Sequence, residues 1–242
     1  MTTGPSAVVV SERDSGAPMS LNGTLETFPG AVGIVLLVDG RSGPQEARNQ
    51  CVARAFRRRG WATLILHFGP GEAGEDAEVE PLAARLIGAH EFVRRNPETS
   101  HLGIHFLAAG SGAAAALLAE VMSNGRTDSI VCFAGKLDPM AGLVDQVRAP
   151  TLFLVDPENL EVLGQSLDAY HRMTCIRQFQ LLPSGERRRE SGYPLEELVA
   201  KSGQWFRRHG RVTRPVAGAG WPVRAEFIIE GDSDPLTIGA AA

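Results

Sequence analysis

Two hydrophobic periods alternate along this chain. Residues 31–38 are almost continuously apolar and β-branched. That is the pattern of a strand covered on both faces, not of one with a wet side. Comparable runs at 62–67, 101–107, 129–133, 150–155 and 177–182 predict five more core strands. Between them, apolar residues recur at three- and four-residue spacing. Residues 45–59 carry Ala47, Cys51, Val52, Ala55 and Phe56, and residues 79–96 carry Leu82, Leu86, Ala89 and Val93. Residues 111–123, 160–172 and 194–208 read the same way, the last with Leu195, Leu198, Val199, Trp205 and Phe206 inward. Each is a helix with one buried stripe. Short strands alternating with helices imply a three-layer α/β fold, a doubly wound and mostly parallel sheet with helices on both faces. Two further strands are expected at 7–10 and 21–28, the second pairing back on the first through the turn at 14–18.

The pattern changes after residue 209. Residues 210–242 are rich in Gly, Pro, Ala and Val, with one strand-like run at 223–230. Residues 1–209 therefore read as one domain and 210–242 as an extension that serves as a surface arm, a lid over a pocket or a contact with a second copy in a homo-oligomer.

Composition narrows the partners. With 242 residues, 43% of them hydrophobic, a sizeable single core is expected, and a net charge of −4 argues against nucleic acid. Apolar runs are too short for a membrane span, and the first residues lack a signal-peptide pattern. The three cysteines, Cys51, Cys132 and Cys175, lie in apolar segments without metal-ligand spacing. They read as buried thiols in a reducing, cytoplasmic setting. Gly69-Pro-Gly-Glu-Ala-Gly lacks a phosphate-loop pattern, and no cofactor or metal is expected. A small-molecule substrate or ligand is the expected partner.

Candidate chemistry centres on residues 102–120, a buried strand, a small-residue turn and an apolar helix. This is the setting of the nucleophile elbow, Gly-x-Ser-x-Gly. Here the window is Ala108-Ala109-Gly110-Ser111-Gly112, so the nucleophile position holds Gly110 and the serine comes one residue late. Ligands of open α/β sheets bind beyond the carboxyl ends of the strands. Asp39 and His67 end adjacent strand candidates and are the expected acid–base pair. Lys136, Asp138, Asp156 and Arg187 are rim candidates for substrate binding. Arg57, Arg58 and Arg59 read as a solvated helix end, and His90, His101 and His105 as structural residues.

The run of elements resembles the α/β-hydrolase superfamily, and more narrowly the dienelactone-hydrolase-like proteins. The resemblance rests on Gly33-Ile-Val-Leu-Leu-Val-Asp-Gly40, Ala62-Thr-Leu-Ile-Leu66, Gly112-Ala-Ala-Ala-Ala-Leu117, Ala149-Pro-Thr-Leu-Phe-Leu-Val155, and Leu195-Glu-Glu-Leu198 leading to Trp205-Phe-Arg-Arg-His209. It implies the nucleophile at position 110, the acid at Asn159 and the histidine at Arg187, so all three triad positions hold other residues. It also implies an oxyanion hole from the Ser111 N–H and the Gly40–Arg41 backbone, donors that need no nucleophile side chain. The expected function is a non-hydrolytic enzyme, a cyclase, isomerase or lyase acting on a small carbonyl compound, with Gly110, Lys136, Asp156, Asn159 and Arg187 lining its site. A non-catalytic ligand- or partner-binding protein is one alternative. An esterase or lactonase using Ser111 is another, and helix capping is the plainer role for that serine.

Overall fold

A computed structural model describes residues 11–12, 19–39, 45–67, 78–140, 142–182, 195–211 and 223–229. The expected strand at 7–10, the loop with Gly40 and Arg41, and the loop with Arg187 lie outside them.

The described strands are β1 (Ser11–Glu12), β2 (Met19–Thr27), β3 (Ile34–Asp39), β4 (Ala62–His67), β5 (Ile104–Gly110), β6 (Ser129–Gly135), β7 (Thr151–Val155), β8 (Arg177–Leu181) and β9 (Val223–Ile229). They form one sheet in the order β1-β2-β4-β3-β5-β6-β7-β8, with β9 also on β2. Every pair from β4 across to β8 is parallel. β2 is antiparallel to β4 and to β9. Strand β2 thus pairs mainly with a core strand and with the C-terminal run, and only Met19 and Ser20 pair with β1. The run at 223–229 is an edge partner of β2 in the same chain, with Leu21 opposite Ile229 and Thr27 opposite Val223.

The helices are α1 (Gln45–Arg57), α2 (Val79–Arg95), α3 (Ser111–Met122), α4 (Leu160–Arg172) and α5 (Leu195–His209). One core cluster joins β-strand residues such as Leu36, Leu64, Phe106 and Phe153 to α2, α3 and α4. The other joins Val35, Leu37, Ile65 and Leu154 to α1 and α5. Alternate residues of β3 go to opposite faces, the period-two rule that explains its continuous hydrophobicity. All six of its residues are buried.

The buried stripe of α1 is Val52, Ala53, Ala55 and Phe56, while Ala47 and Cys51 are exposed. The expectation of three buried thiols is corrected accordingly: Cys132 is buried, Cys175 half-buried and Cys51 on the surface. Residues 52, 55 and 56 share the arc facing the sheet and α5, whereas 47 and 51 are rotated out of it. The arginines ending α1 are paired rather than simply solvated. Arg57 pairs with Glu26, and Arg58 and Arg59 pair with Glu196 of α5.

Candidate active site at the elbow

The strand order reverses beside β3, which has β4 on one side and β5 on the other. A crevice at the carboxyl ends follows from that reversal. Its centre is the turn from β5 into α3. Gly110 has φ 56° and ψ −133° and occupies the N-cap position of α3. That conformation is strained for a residue with a Cβ and open to glycine. Position 110 thus adopts a sharp elbow without a side chain at its tip. Space is as tight as the torsion. A methyl on Gly112 would lie 2.8 Å from the Val38 carbonyl oxygen, so the start of α3 can sit on β3 only without it.

The neighbouring strand is bent to match. The β5–β6 register runs from Ala109 opposite Phe133 to Gly110 opposite Gly135, leaving Ala134 as an extra residue. Ala134 has φ 46°, a left-handed conformation that a non-glycine residue rarely adopts. The bulge brings the Lys136 N–H to the Gly110 carbonyl at 3.1 Å. Lys136, expected as a binding residue, therefore holds the elbow through its backbone.

Ser111 is the first residue of α3 and is buried at 7% exposure. It lies inside the first turn, and Gly110 rather than Ser111 is the cap. Its N–H belongs to the helix N-terminus, where backbone donors and the helix dipole favour an oxyanion.

Asp39 ends β3 opposite Ala109 of β5 and is buried. His67 ends β4. Leu37 pairs with Ile65, so Asp39 and His67, each two residues on, stand at matching heights on adjacent strands. The His67 Nε2, however, hydrogen-bonds the Thr24 hydroxyl of β2 at 2.8 Å, on the side away from β3. A small cavity of about 30 Å³ opens beside Asp39, lined by Arg48, Asn49, Ala109, Phe133 and Leu198 among others. Arg48 lays its guanidinium 5.5 Å from the Phe133 ring centroid. Arg48 and Asn49 were not expected at the site. The signal for them was topological: α1 follows β3 directly, so its first turns must stand at the carboxyl edge.

The remaining expected residues divide. Asp156 is buried at the end of β7, where its Oδ1 accepts the Glu158 N–H at 2.9 Å. Asn159 is the N-cap of α4, its Oδ1 accepting the Val162 N–H at 3.2 Å. Asp138 accepts a hydrogen bond from Gln165 of α4 at 2.8 Å and is exposed.

All six histidines fall within described residues, and His67 is the one carried by the carboxyl end of a strand. His101 precedes β5, and His105 is its second residue. His90 contacts the Arg126 carbonyl at 3.2 Å, beyond the end of α3. His171 and His209 lie in the last turns of α4 and α5, helices that return the chain to the amino edge.

No family model matches the chain. Among curated proteins, it is 27% identical over 197 residues to proteins from two strains of Mycobacterium tuberculosis whose names call them phosphoribosyl transferases. The match covers 79% of this chain but only 44% of those proteins, so the chain spans less than half of their length. Among solved structures it is similar to dienelactone hydrolase from Anabaena variabilis, with a TM-score of 0.71 and 28% identity over 85% of this chain and 98% of that one. It is also similar in fold to the ferulic-acid-bound Est1E of Butyrivibrio proteoclasticus, with a TM-score of 0.64 and 13% identity over 83% and 99% of the two chains. With its strand order, its elbow and these likenesses together, the chain is an α/β-hydrolase-fold protein that resembles dienelactone hydrolase.

Proposed function

We propose that this protein uses a hydrolase elbow without a serine nucleophile. The retained backbone donors at the start of α3 bind the oxygen of a small carbonyl compound in a non-hydrolytic step, an isomerisation, cyclisation or elimination. The observation that carries this reading is the Gly110 torsion pair, φ 56° and ψ −133°. The chain keeps a demanding turn but leaves no side chain to attack from it. Acyl transfer also needs a base beside the nucleophile and a group to orient the base. Five of the six histidines lie away from the carboxyl ends of the strands, and Asn159, at the expected acid position, serves as a helix cap. Removing covalent catalysis leaves polarisation, which oxyanion holes provide through fixed donors. Asp39 is the proposed proton-transfer group, with Arg48 and Asn49 as neighbours that place substrate. His67, bonded to Thr24, is the second candidate for proton transfer.

A second reading has one observation in its favour. The described cavity beside Asp39, about 30 Å³, has room for water. Drug-sized ligands occupy roughly 300–1,000 Å³. A non-catalytic member of the fold, filled by its own side chains, fits that size. The phosphoribosyl transferase name of the mycobacterial relatives belongs to proteins more than twice as long as the matched region. It supplies no reason to place that reaction at this elbow.

Two measurements test these readings. Intact-mass analysis after treatment with a fluorophosphonate should show no adduct. A stoichiometric adduct on Ser111 would overturn the proposal in favour of an esterase. In a screen of small enolisable esters, lactones and keto acids, product should form without acyl-enzyme accumulation, and Asp39→Asn should lower kcat at least tenfold. Unchanged turnover in that variant rejects Asp39, and absence of any turnover favours the non-catalytic reading.

A further inference from the structure

A second concave site lies at the opposite edge of the sheet. It is a solvent-open cleft of about 560 Å³ where the ends of α2 and α3 meet the start of β6, lined by Glu91, Arg94, Arg126, Thr127, Asp128 and Arg211 with Gly125 between them. We infer that this cleft binds a phosphate group, free or as a phosphomonoester, through Arg94, Arg126 and Arg211. The inference is independent of the elbow and of the reaction proposed there.

Charge is the first argument. Asp128 pairs with Arg211, Nε to Oδ1 at 2.7 Å and Nη2 to Oδ2 at 3.1 Å, and lies 3.7 Å from Arg94. Glu91 pairs with Arg126 at 2.8 Å and with Arg95 at 3.8 Å. Among the described residues, four guanidinium groups therefore share two carboxylates. Part of the excess is spent on the helix ends, because α2 and α3 both point their C-terminal turns at this corner. Each end carries about half a negative charge, so roughly one positive charge remains uncompensated. That surplus stands out in a chain of net charge −4.

Donor supply is the second argument. A guanidinium has five N–H donors and no acceptor. Arg126 commits Nη1 to Glu91, and Arg211 commits Nε and Nη2 to Asp128. The side chains of Arg126 and Arg211 are 64% and 60% exposed, so their other donors face water that an oxyanion can replace. Forked guanidinium donors suit the tetrahedral oxygens of phosphate. The third argument is Thr127. It lies between two of the charged residues, is 5% exposed, and its hydroxyl has no hydrogen-bond partner. An unpaired buried hydroxyl is costly, and a small side-chain shift toward a bound anion would satisfy it.

The carboxylates make the test specific. Glu91 competes with an anion for Arg126, so its removal should strengthen binding rather than weaken it. Inorganic phosphate and glycerol 3-phosphate would be titrated by calorimetry against the full chain at constant ionic strength, with chloride as the control salt. Saturable binding of at least one probe is expected. Arg126→Gln should weaken it about tenfold, the loss of one charge-assisted contact, and Glu91→Gln should tighten it about threefold. Arg126 is exposed and Glu91 half-buried, and Gly110→Ser at the elbow should leave the affinity unaltered. Tighter binding of glycerol 3-phosphate than of inorganic phosphate would identify an organic phosphomonoester as the ligand. The inverse order would identify the free ion. A response equal to that of chloride, or the same affinity in wild type, Arg126→Gln and Glu91→Gln, overturns the inference and leaves the arginines as partners of the helix ends.

Discussion

The two ends of β5 and β6 solve opposite problems. At the carboxyl end the side chains are small and the backbone is strained. Ala109, Gly110 and Ser111 turn sharply beside Ala134, whose φ is 46°. At the amino end the side chains are large and interlocked. His105 lies between Trp61, edge-on at 5.2 Å, and Phe206, stacked at 4.9 Å. Its Nδ1 is 2.9 Å from the Ser129 hydroxyl, and its Nε2 has no partner. Asp128 receives the Ile104 N–H at 2.8 Å and the Arg211 side chain, which ties the chain after α5 back to the sheet. A methyl on Gly103 would collide with the Arg211 carbonyl oxygen. The contrast sets interlocked side chains at one edge against a sharp small-residue turn at the other. A histidine, a serine and an aspartate cluster at the wrong end for catalysis: His105 and Ser129 are fully buried, so this trio holds structure.

The contrast is sharpest if the amino end is emptied. Trp61 is fully buried, and Trp61→Ala should cost about 3–5 kcal/mol in urea unfolding. A loss under 1 kcal/mol would show that the aromatic cluster is not the anchor.

Acid should attack the same end. Burial holds His105 down to about 4 from the ordinary 6.5, against the field of Asp128 and the Arg211 backbone, which favour the charged form, and with a smaller contribution from the Arg211 charge. The unfolded chain therefore binds this proton first. Stability is fully present above pH 6.5 and falls progressively as pH drops toward 4, by roughly 3 kcal/mol for a shift of this size. His90, also held low by burial, adds in the same direction. Denaturation midpoints that stay flat from pH 7 to 4.5 would contradict a neutral, buried His105.

The carboxyl end should respond more mildly. Gly110→Ala places a Cβ at φ 56° and should cost about 1–3 kcal/mol. A neutral result would mean that the turn relaxes and is not a fixed elbow. The smallest effect is expected at Asn159. Asn159→Ala removes a helix cap, worth about 1 kcal/mol, and should leave turnover unaltered. A large loss of kcat with intact stability would return Asn159 to the chemistry.

Much of this fold was legible in the hydrophobic pattern. The continuous apolar runs became β3 to β7, and the three- and four-residue spacing located all five described helices to within two residues of their ends. The elbow was legible too, because a strand–turn–helix junction with small residues has few alternative geometries. Features that depend on rotation or on distant partners were not legible. Cys51 sits in an apolar-looking stripe, yet only contact with α5 and the sheet decides which arc is buried. His67 ends its strand beside Asp39 in register, but its bond to Thr24 comes from β2, a strand 43 positions earlier. Asn159 looked like an altered acid because it sits where an acid would; its local hydrogen bond to Val162 makes it a cap. Arg211 lay in a stretch with no periodicity, and nothing nearby in sequence announced Asp128 as its partner.

By itself, then, the sequence determined the order of strands and helices, the two-sided core and the glycine at the turn, because periodicity and steric tolerance are local properties of the chain. The tertiary structure alone decided the pairing of β9 with β2, the isolation of five histidines from the elbow and the convergence of arginines at the opposite edge. Each of these depends on which ends of the elements the sheet's topology brings together, and no local preference encodes that.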